Sequence, residues 1–273
     1  MEFGVIIGTG EEEFKRVADL GIPTIQMFIW CNKENLTDEH ADRIKEYCKK
    51  YNIRISAAWL RWPGNPTWNN CEGPQTMGLV PIATRAMRIE SMKMGADFCK
   101  KLGITDLITH VGFIPENPMT TEYLQLVTDL REMAAYMKNN DQYFLFETGQ
   151  ETPVTLLRTI EAIGTGNLGI NLDGANLISY GKGNPVDALY VFGKYVRNLH
   201  IKDAVHPPDG RECGEDVPVG EGEVDFHKLL DRLKNEIGYD GVLTFENELS
   251  DVEEKVKQLA AAKVYIQNIW DSI

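Results

Sequence analysis

Short runs rich in apolar residues recur along this chain, and several of them stop at a side chain able to bind a metal ion. Residues 143–146 run into Glu147, 168–172 into Asp173, 196–199 into His200 and 242–245 into Glu246, while 104–109 leads to His110 in the same manner. Runs of this kind read as strands buried on both faces. A carboxylate at the end of such a strand has left water for a protein-lined mouth, so it must be paired, bound to metal or held at a shifted pKa. For Glu147 taken alone, a salt bridge closing the strand end would suffice. Polar groups at the C-terminal ends of several strands describe something more particular, the active-site face of a parallel (β/α) barrel.

Helical patterns fill the spaces between the runs. Strands are expected at 3–7, 24–29, 53–58, 104–109, 143–146, 168–172, 196–199 and 241–245. Helices are expected at 11–20, which Gly21 stops, and after Thr37, with Ala41, Ile44, Cys48 and Tyr51 on one face. Others run from Pro81 to Gly103, over 120–138, from Thr152-Pro153 to Gly164, and near 186–194. A seventh carries Leu229, Leu233 and Ile237, and a closing helix carries Val252, Val256, Leu259, Ile266 and Trp270. His40 and His227 are expected in solvent. Gly8 and Gly10 lack the spacing of a dinucleotide fingerprint and read as a tight turn. With no linker or composition shift, the expectation is an α/β fold, a (β/α)8 TIM barrel filling residues 1–273 as a single domain.

The formal charge of −13 sets the chain against a nucleic-acid backbone or an anionic membrane as partner. A small-molecule sugar or polyol fits better, and a homo-oligomer is left open. The five cysteines form no close pair and read as reduced thiols of a cytoplasmic protein, with Cys48 and Cys99 on apolar helix stripes. The first residues enter a strand without a basic stretch, so neither signal peptide nor membrane anchor is expected.

Glu147, Asp173, His200 and Glu246 together offer three hard oxygen ligands and one borderline nitrogen. Manganese or magnesium is the natural occupant, with cobalt or zinc as alternatives. One divalent ion beside a carbonyl and its neighbouring hydroxyl would stabilise the enediolate left when an α-proton departs. Glu147 and Glu246 are then placed to act as catalytic acid and base, one taking the proton and the other returning it. Trp30 ends the second strand, and Trp59, Trp62 and Trp68 stand in a stretch too long for a plain connector. Their rings would pack on the C–H faces of a sugar or fill a satellite core, and both readings stand. His110, Asn176 and Lys202, with Trp30, Trp59 and Trp62, are the candidate substrate-binding residues. For Lys202 a structural pairing with Asp203 or Glu246 is the alternative. Arg61 and Arg211 are expected on loops. The acidic chain and the lack of a glycine-rich anion cradle point to a substrate without phosphate.

These four strand ends, with His200-Ile201-Lys202-Asp203 and the later Val219-Gly220-Glu221-Gly222-Glu223-Val224-Asp225, resemble the xylose isomerase-like sugar phosphate isomerase/epimerase superfamily over nearly the whole chain. The pattern is closest to the metal-dependent ketose 3-epimerases. The resemblance implies one divalent metal on Glu147, Asp173, His200 and Glu246, with Glu147 and Glu246 as the acid/base pair. It also implies a His where this chain has Asn176 and an Arg where it has His206, so the substrate stays open. A lyase or dehydratase of a keto-sugar, cyclic polyol or ketoacid, and a non-catalytic sugar-binding barrel, are the alternative readings. An endonuclease of this superfamily needs a multi-metal cluster that the five histidines and the charge disfavour.

Overall fold

A computed structural model describes residues 1–247 and 251–273. The strands are β1 (Glu2–Ile7), β2 (Thr24–Trp30), β3 (Arg54–Arg61), β4 (Asp106–Thr109), β5 (Tyr143–Glu147), β6 (Leu168–Asp173), β7 (Val196–Ile201), β8 (Asp203–Ala204), β9 (Asp216–Val217) and β10 (Val242–Phe245). Eight of them form a closed parallel barrel in the order β1-β10-β7-β6-β5-β4-β3-β2, while β8 and β9 pair as a small antiparallel ribbon. Between them lie α1 (Glu11–Asp19), α2 (Asp38–Tyr51), α3 (Gly73–Thr76), α4 (Ile82–Lys101), α5 (Thr121–Lys138), α6 (Pro153–Ile163), α7 (Gly174–Ser179), α8 (Pro185–Phe192), α9 (Phe226–Asp231) and α10 (Val252–Ser272). The fold is the expected (β/α)8 barrel.

Strand alternation decides which side chains reach the barrel axis. A small inner cluster of Ala57, Trp59, Ile108 and Leu145, with Ile6, Phe28 and Tyr143 against it, fills the interior. The neighbouring positions Leu60, Leu107, Phe144 and Phe146 turn outward into the much larger core between strands and helices. The same parity places Glu147 two residues beyond inward Leu145. With Ile170, Leu172, Leu199, Ile201, Leu243 and Phe245 all in the outer core, Asp173, His200 and Glu246 must face inward. Slipping any of these strands by one residue would exchange a metal-capable side chain for an apolar one. Register holds the set level: Asp173 pairs with His200, and His200 with Thr244.

Several expectations change on the structure. β3 continues through Trp59, Leu60 and Arg61 because β2 pairs with it along its length, up to Trp30 opposite Arg61. His40 is half-buried rather than solvated, with Nδ1 2.6 Å from the Asn35 carbonyl oxygen. Val252 is exposed at the start of α10, whose buried face is Leu259, Ala262, Ile266 and Ile269. The stretch after Asp173 is helix α7, and the region after His200 carries the ribbon. The helix begun by α9 widens into a π-helical turn over Arg232–Ile237 and ends at Gly238, where φ is +74°. His227 is exposed, as expected.

Candidate metal centre

Glu147 ends β5, Asp173 ends β6, His200 lies near the end of β7 and Glu246 follows β10. One donor atom from each lies within 4.8 Å of the others. His200 Nδ1 is 2.9 Å from Glu246 Oε2, 3.3 Å from Glu147 Oε1 and 3.6 Å from Asp173 Oδ2. Yet His200 Nδ1, Asp173 Oδ2 and Glu246 Oε2 are buried with no hydrogen-bond partner. Buried polar atoms are ordinarily bonded. Three unbonded donors converging from three strand ends form a cradle for a cation. Ligands about 2.1 Å from an octahedral ion stand about 3 Å apart when adjacent and about 4.2 Å when opposite, so these separations suit one divalent ion. Three carboxylates and one imidazole favour a hard ion of the magnesium or manganese type.

The donors are held from behind. Gln26 Oε1 lies 2.7 Å from His200 Nε2, and Gln26 Nε2 donates to Asn171 Oδ1 at 3.3 Å. That second bond leaves the Gln26 oxygen facing the imidazole, so Nε2 carries the hydrogen and Nδ1 keeps its lone pair for the site. Asp173 spends Oδ1 on capping α7, accepting from Asn176 N at 2.8 Å, which aims Oδ2 at the cluster. Thr148 Oγ1 ties β5 to β6 through the backbone N–H and carbonyl of Asp173, both at 2.8 Å. Glu147 accepts from the Trp59 indole N–H on Oε2 and from Asn176 Nδ2 at 3.4 Å on Oε1.

Charge crowding shifts the titrations. Burial disfavours the imidazolium of His200, but the carboxylates of Glu147 and Glu246 prevail and hold its pKa well above the ordinary value. Burial pushes the Asp173 carboxyl up to about 7. Burial would also raise Glu246, but Lys202 and His200 draw it well below the usual carboxylate range. A divalent ion held here would compete with the His200 proton for Nδ1. Burial lowers the pKa of His110, which is neutral at pH 7.

The cluster opens into a cavity of about 540 Å³. Its lining combines the aromatic rings of Phe28, Trp30, Trp59 and Trp68 with polar His110, Asn176, Lys202 and Glu246. Phe28 and Trp59 stack with centroids 5.2 Å apart, and the His110 ring meets Trp59 and Trp68 edge-on at 5.8 and 5.4 Å. His110 Nε2 is 3.7 Å from Glu147 Oε1, and its Nδ1 has no partner. Five of the six candidate substrate residues thus share the cavity. Trp62 does not: it is fully buried in the outer core, with its N–H 3.4 Å from the His110 carbonyl oxygen.

Lys202 pairs with Asp216 on the ribbon at 3.1 Å, stands 4.0 Å from Glu246 and donates to Asn176 Oδ1 at 3.4 Å. Asp203 is engaged elsewhere: its carboxylate accepts from the backbone N–H groups of Gly220, Gly222 and Val224 at 2.9, 3.0 and 3.1 Å. A Cβ at Gly222 would overlap that carboxylate, which explains why the glycine-rich turn and Asp203 occur together. His206 and Arg211 are exposed and do not line the cavity. Gln26 and Asn171 were not among the candidates, and Trp68, though grouped with the other tryptophans, was not in the substrate-binding set. A polar residue in the middle of the apolar run at 24–30 was the available signal for Gln26.

The model of a family described as xylose isomerase-like TIM barrel matches residues 14–265. The chain belongs to that family. A crystal structure of a xylose isomerase domain protein from Planctomyces limnophilus shares 34% identity with this xylose isomerase-like barrel, with a TM-score of 0.92 over 99% of this chain and 98% of that one. A D-tagatose 3-epimerase-like protein superposes with a TM-score of 0.74 at 23% identity, covering 100% of this chain and 99% of that one, a likeness of fold. An uncharacterized protein of Methanocaldococcus jannaschii, MJ1311, is 26% identical over 205 residues, 69% of this chain and 66% of the relative, which is just under two thirds of its length. Among the described residues no helix is long and apolar enough to cross a membrane.

Proposed function

We propose that this barrel is a divalent-metal-dependent sugar isomerase or epimerase acting on a ketose or related polyol. The observation that carries the reading is the convergence of three unbonded buried donors beside a cavity lined by aromatic and polar side chains. One ion held by Glu147, Asp173, His200 and Glu246 would polarise a substrate carbonyl and its neighbouring hydroxyl, a Lewis-acid contribution of several kcal/mol.

The remaining work falls to side chains. The indole of Trp59 and the amide of Asn176 each donate to one oxygen of Glu147, which fixes the carboxylate's plane. Glu147 takes the proton α to the carbonyl, and Glu246 returns it on the opposite side, inverting the carbon. A positioned carboxylate contributes a factor of roughly 10²–10⁴ to such a transfer. Neutral His110 bonds a substrate hydroxyl, and the rings of Trp30 and Trp59 cover the C–H face of the sugar. The manganese-loaded protein should incorporate deuterium at the carbon beside the carbonyl when a ketose panel is followed by NMR in deuterated water, with a new epimer or isomer appearing. Turnover with loss of water and no epimer or isomer would replace this reading with a lyase. Binding without exchange would leave a sugar-binding barrel.

A further inference from the structure

Arg61 ends β3 on the inward face, two residues beyond Trp59. Strand alternation sends Arg61 off β3 on the same side as Trp59, and it lines the cavity together with His110, Asn176 and Glu246. It is only 8% exposed. Its guanidinium carbon lies 5.4, 4.3 and 5.9 Å from the ring centroids of Trp30, Trp62 and Trp68. Arg61, Arg85 and Arg88 are the buried arginines among the described residues. Arg85 donates to the carbonyls of Leu79 and Val80 and to Asp129, and Arg88 donates to the carbonyls of Pro63 and Gly78. The Arg61 side chain forms no hydrogen bond or ion pair with any described residue, and its Nη1 is buried without a partner.

A buried cation without a counter-charge is costly, and native proteins ordinarily pair it. Burial accordingly lowers the Arg61 pKa. Arg88 stacks on the same Trp62 ring at 4.0 Å and adds a second positive charge. We propose that Arg61 receives a carboxylate carried by the substrate, so that the substrate is a sugar acid rather than a neutral ketose. The proposal rests on the sugar reading above and narrows its substrate class.

A carboxylate suits the site better than a phosphate. The planar guanidinium fork matches a carboxylate with two parallel hydrogen bonds. A phosphate ester brings roughly −1.5 to −2 charges, whereas Glu215 and Asp216 line the same cavity and Lys202 is held by Asp216. One uncommitted cation matches one negative charge.

The test is binding of D-gluconate, D-glucitol and D-glucitol 6-phosphate to the manganese-loaded protein, read by tryptophan fluorescence. Gluconate should bind about ten- to a hundredfold tighter than glucitol, and Arg61→Met should collapse that ratio while Arg61→Lys keeps part of it. Manganese stoichiometry in each variant separates loss of the anion contact from loss of the fold. Equal affinity of wild type for gluconate and glucitol overturns the proposal without touching the sugar reading. A preference that survives in Arg61→Met overturns it too, since the metal or Lys202 would then hold the acid. Tightest binding of the phosphate ester replaces the carboxylate assignment. Failure of all three to bind overturns the sugar reading and this proposal with it.

Discussion

Replacing Gln26 with leucine should weaken metal binding about ten- to a hundredfold without unfolding the barrel. Gln26 is fully buried, and its oxygen is 2.7 Å from His200 Nε2. Leucine has similar volume but no acceptor, so the Nε2–H would be buried unpaired at a cost of about 1–3 kcal/mol. The metal-free imidazolium escapes that cost by giving up its Nε2 proton and keeping the one on Nδ1, which the Glu246 carboxylate 2.9 Å away stabilises. That tautomer cannot bind the ion, and restoring the other takes back the same 1–3 kcal/mol, a factor of about ten to a hundred in Kd. Gln26→Glu keeps an acceptor and should recover most of the loss. Manganese titration by calorimetry at pH 7.5, with thermal unfolding measured alongside, reads both quantities. A Gln26→Leu Kd within twofold of wild type would refute the tautomer argument outright.

Asp173→Asn and His200→Ala should each lose the ion and all activity, checked by elemental analysis; stoichiometric metal in both would remove the site as drawn. Metal affinity should fall as pH drops through about 7, because Asp173 takes up a proton near that value and His200, its pKa raised, holds one as well; a pH-independent Kd between 6 and 8 would contradict this. Glu147→Gln, assayed with metal saturating, should still exchange the α-proton of one epimer while failing to interconvert the pair; unimpaired epimerisation would release Glu147 from its role. Glu151 is buried, and burial pushes its carboxyl up to about 8. A carboxyl raised in the fold above its unfolded value costs stability as pH climbs between the two, here on the order of 4 kcal/mol from pH 4.5 to 8. Glu151→Gln should flatten that slope in denaturant melts, and an unchanged slope would refute the assignment.

The barrel was legible because its strands are buried on both faces, and such strands announce themselves as apolar runs. The four donors were legible for the same reason, since Glu147, Asp173, His200 and Glu246 stand at or near the ends of those runs. What lay beyond reach depended on side-chain parity and partners distant in the chain. Trp59, Trp62 and Trp68 look alike in the sequence, yet the extension of β3 sends Trp59 to the axis and Trp62 to the outer core. Lys202 found Asp216 rather than Asp203, because Asp203 is consumed by backbone N–H groups of a turn beginning at Gly220. The bond from Gln26 to His200 joins β2 to β7 across the barrel, a separation of 174 residues that no local pattern encodes.

The most direct measurement of the central claim is anomalous diffraction from crystals grown with manganese. One peak per chain is predicted, about 2.0–2.2 Å from His200 Nδ1, Asp173 Oδ2, a Glu147 oxygen and a Glu246 oxygen, with Gln26 still on His200 Nε2. A manganese peak elsewhere, or none at full manganese loading in solution, would contradict it.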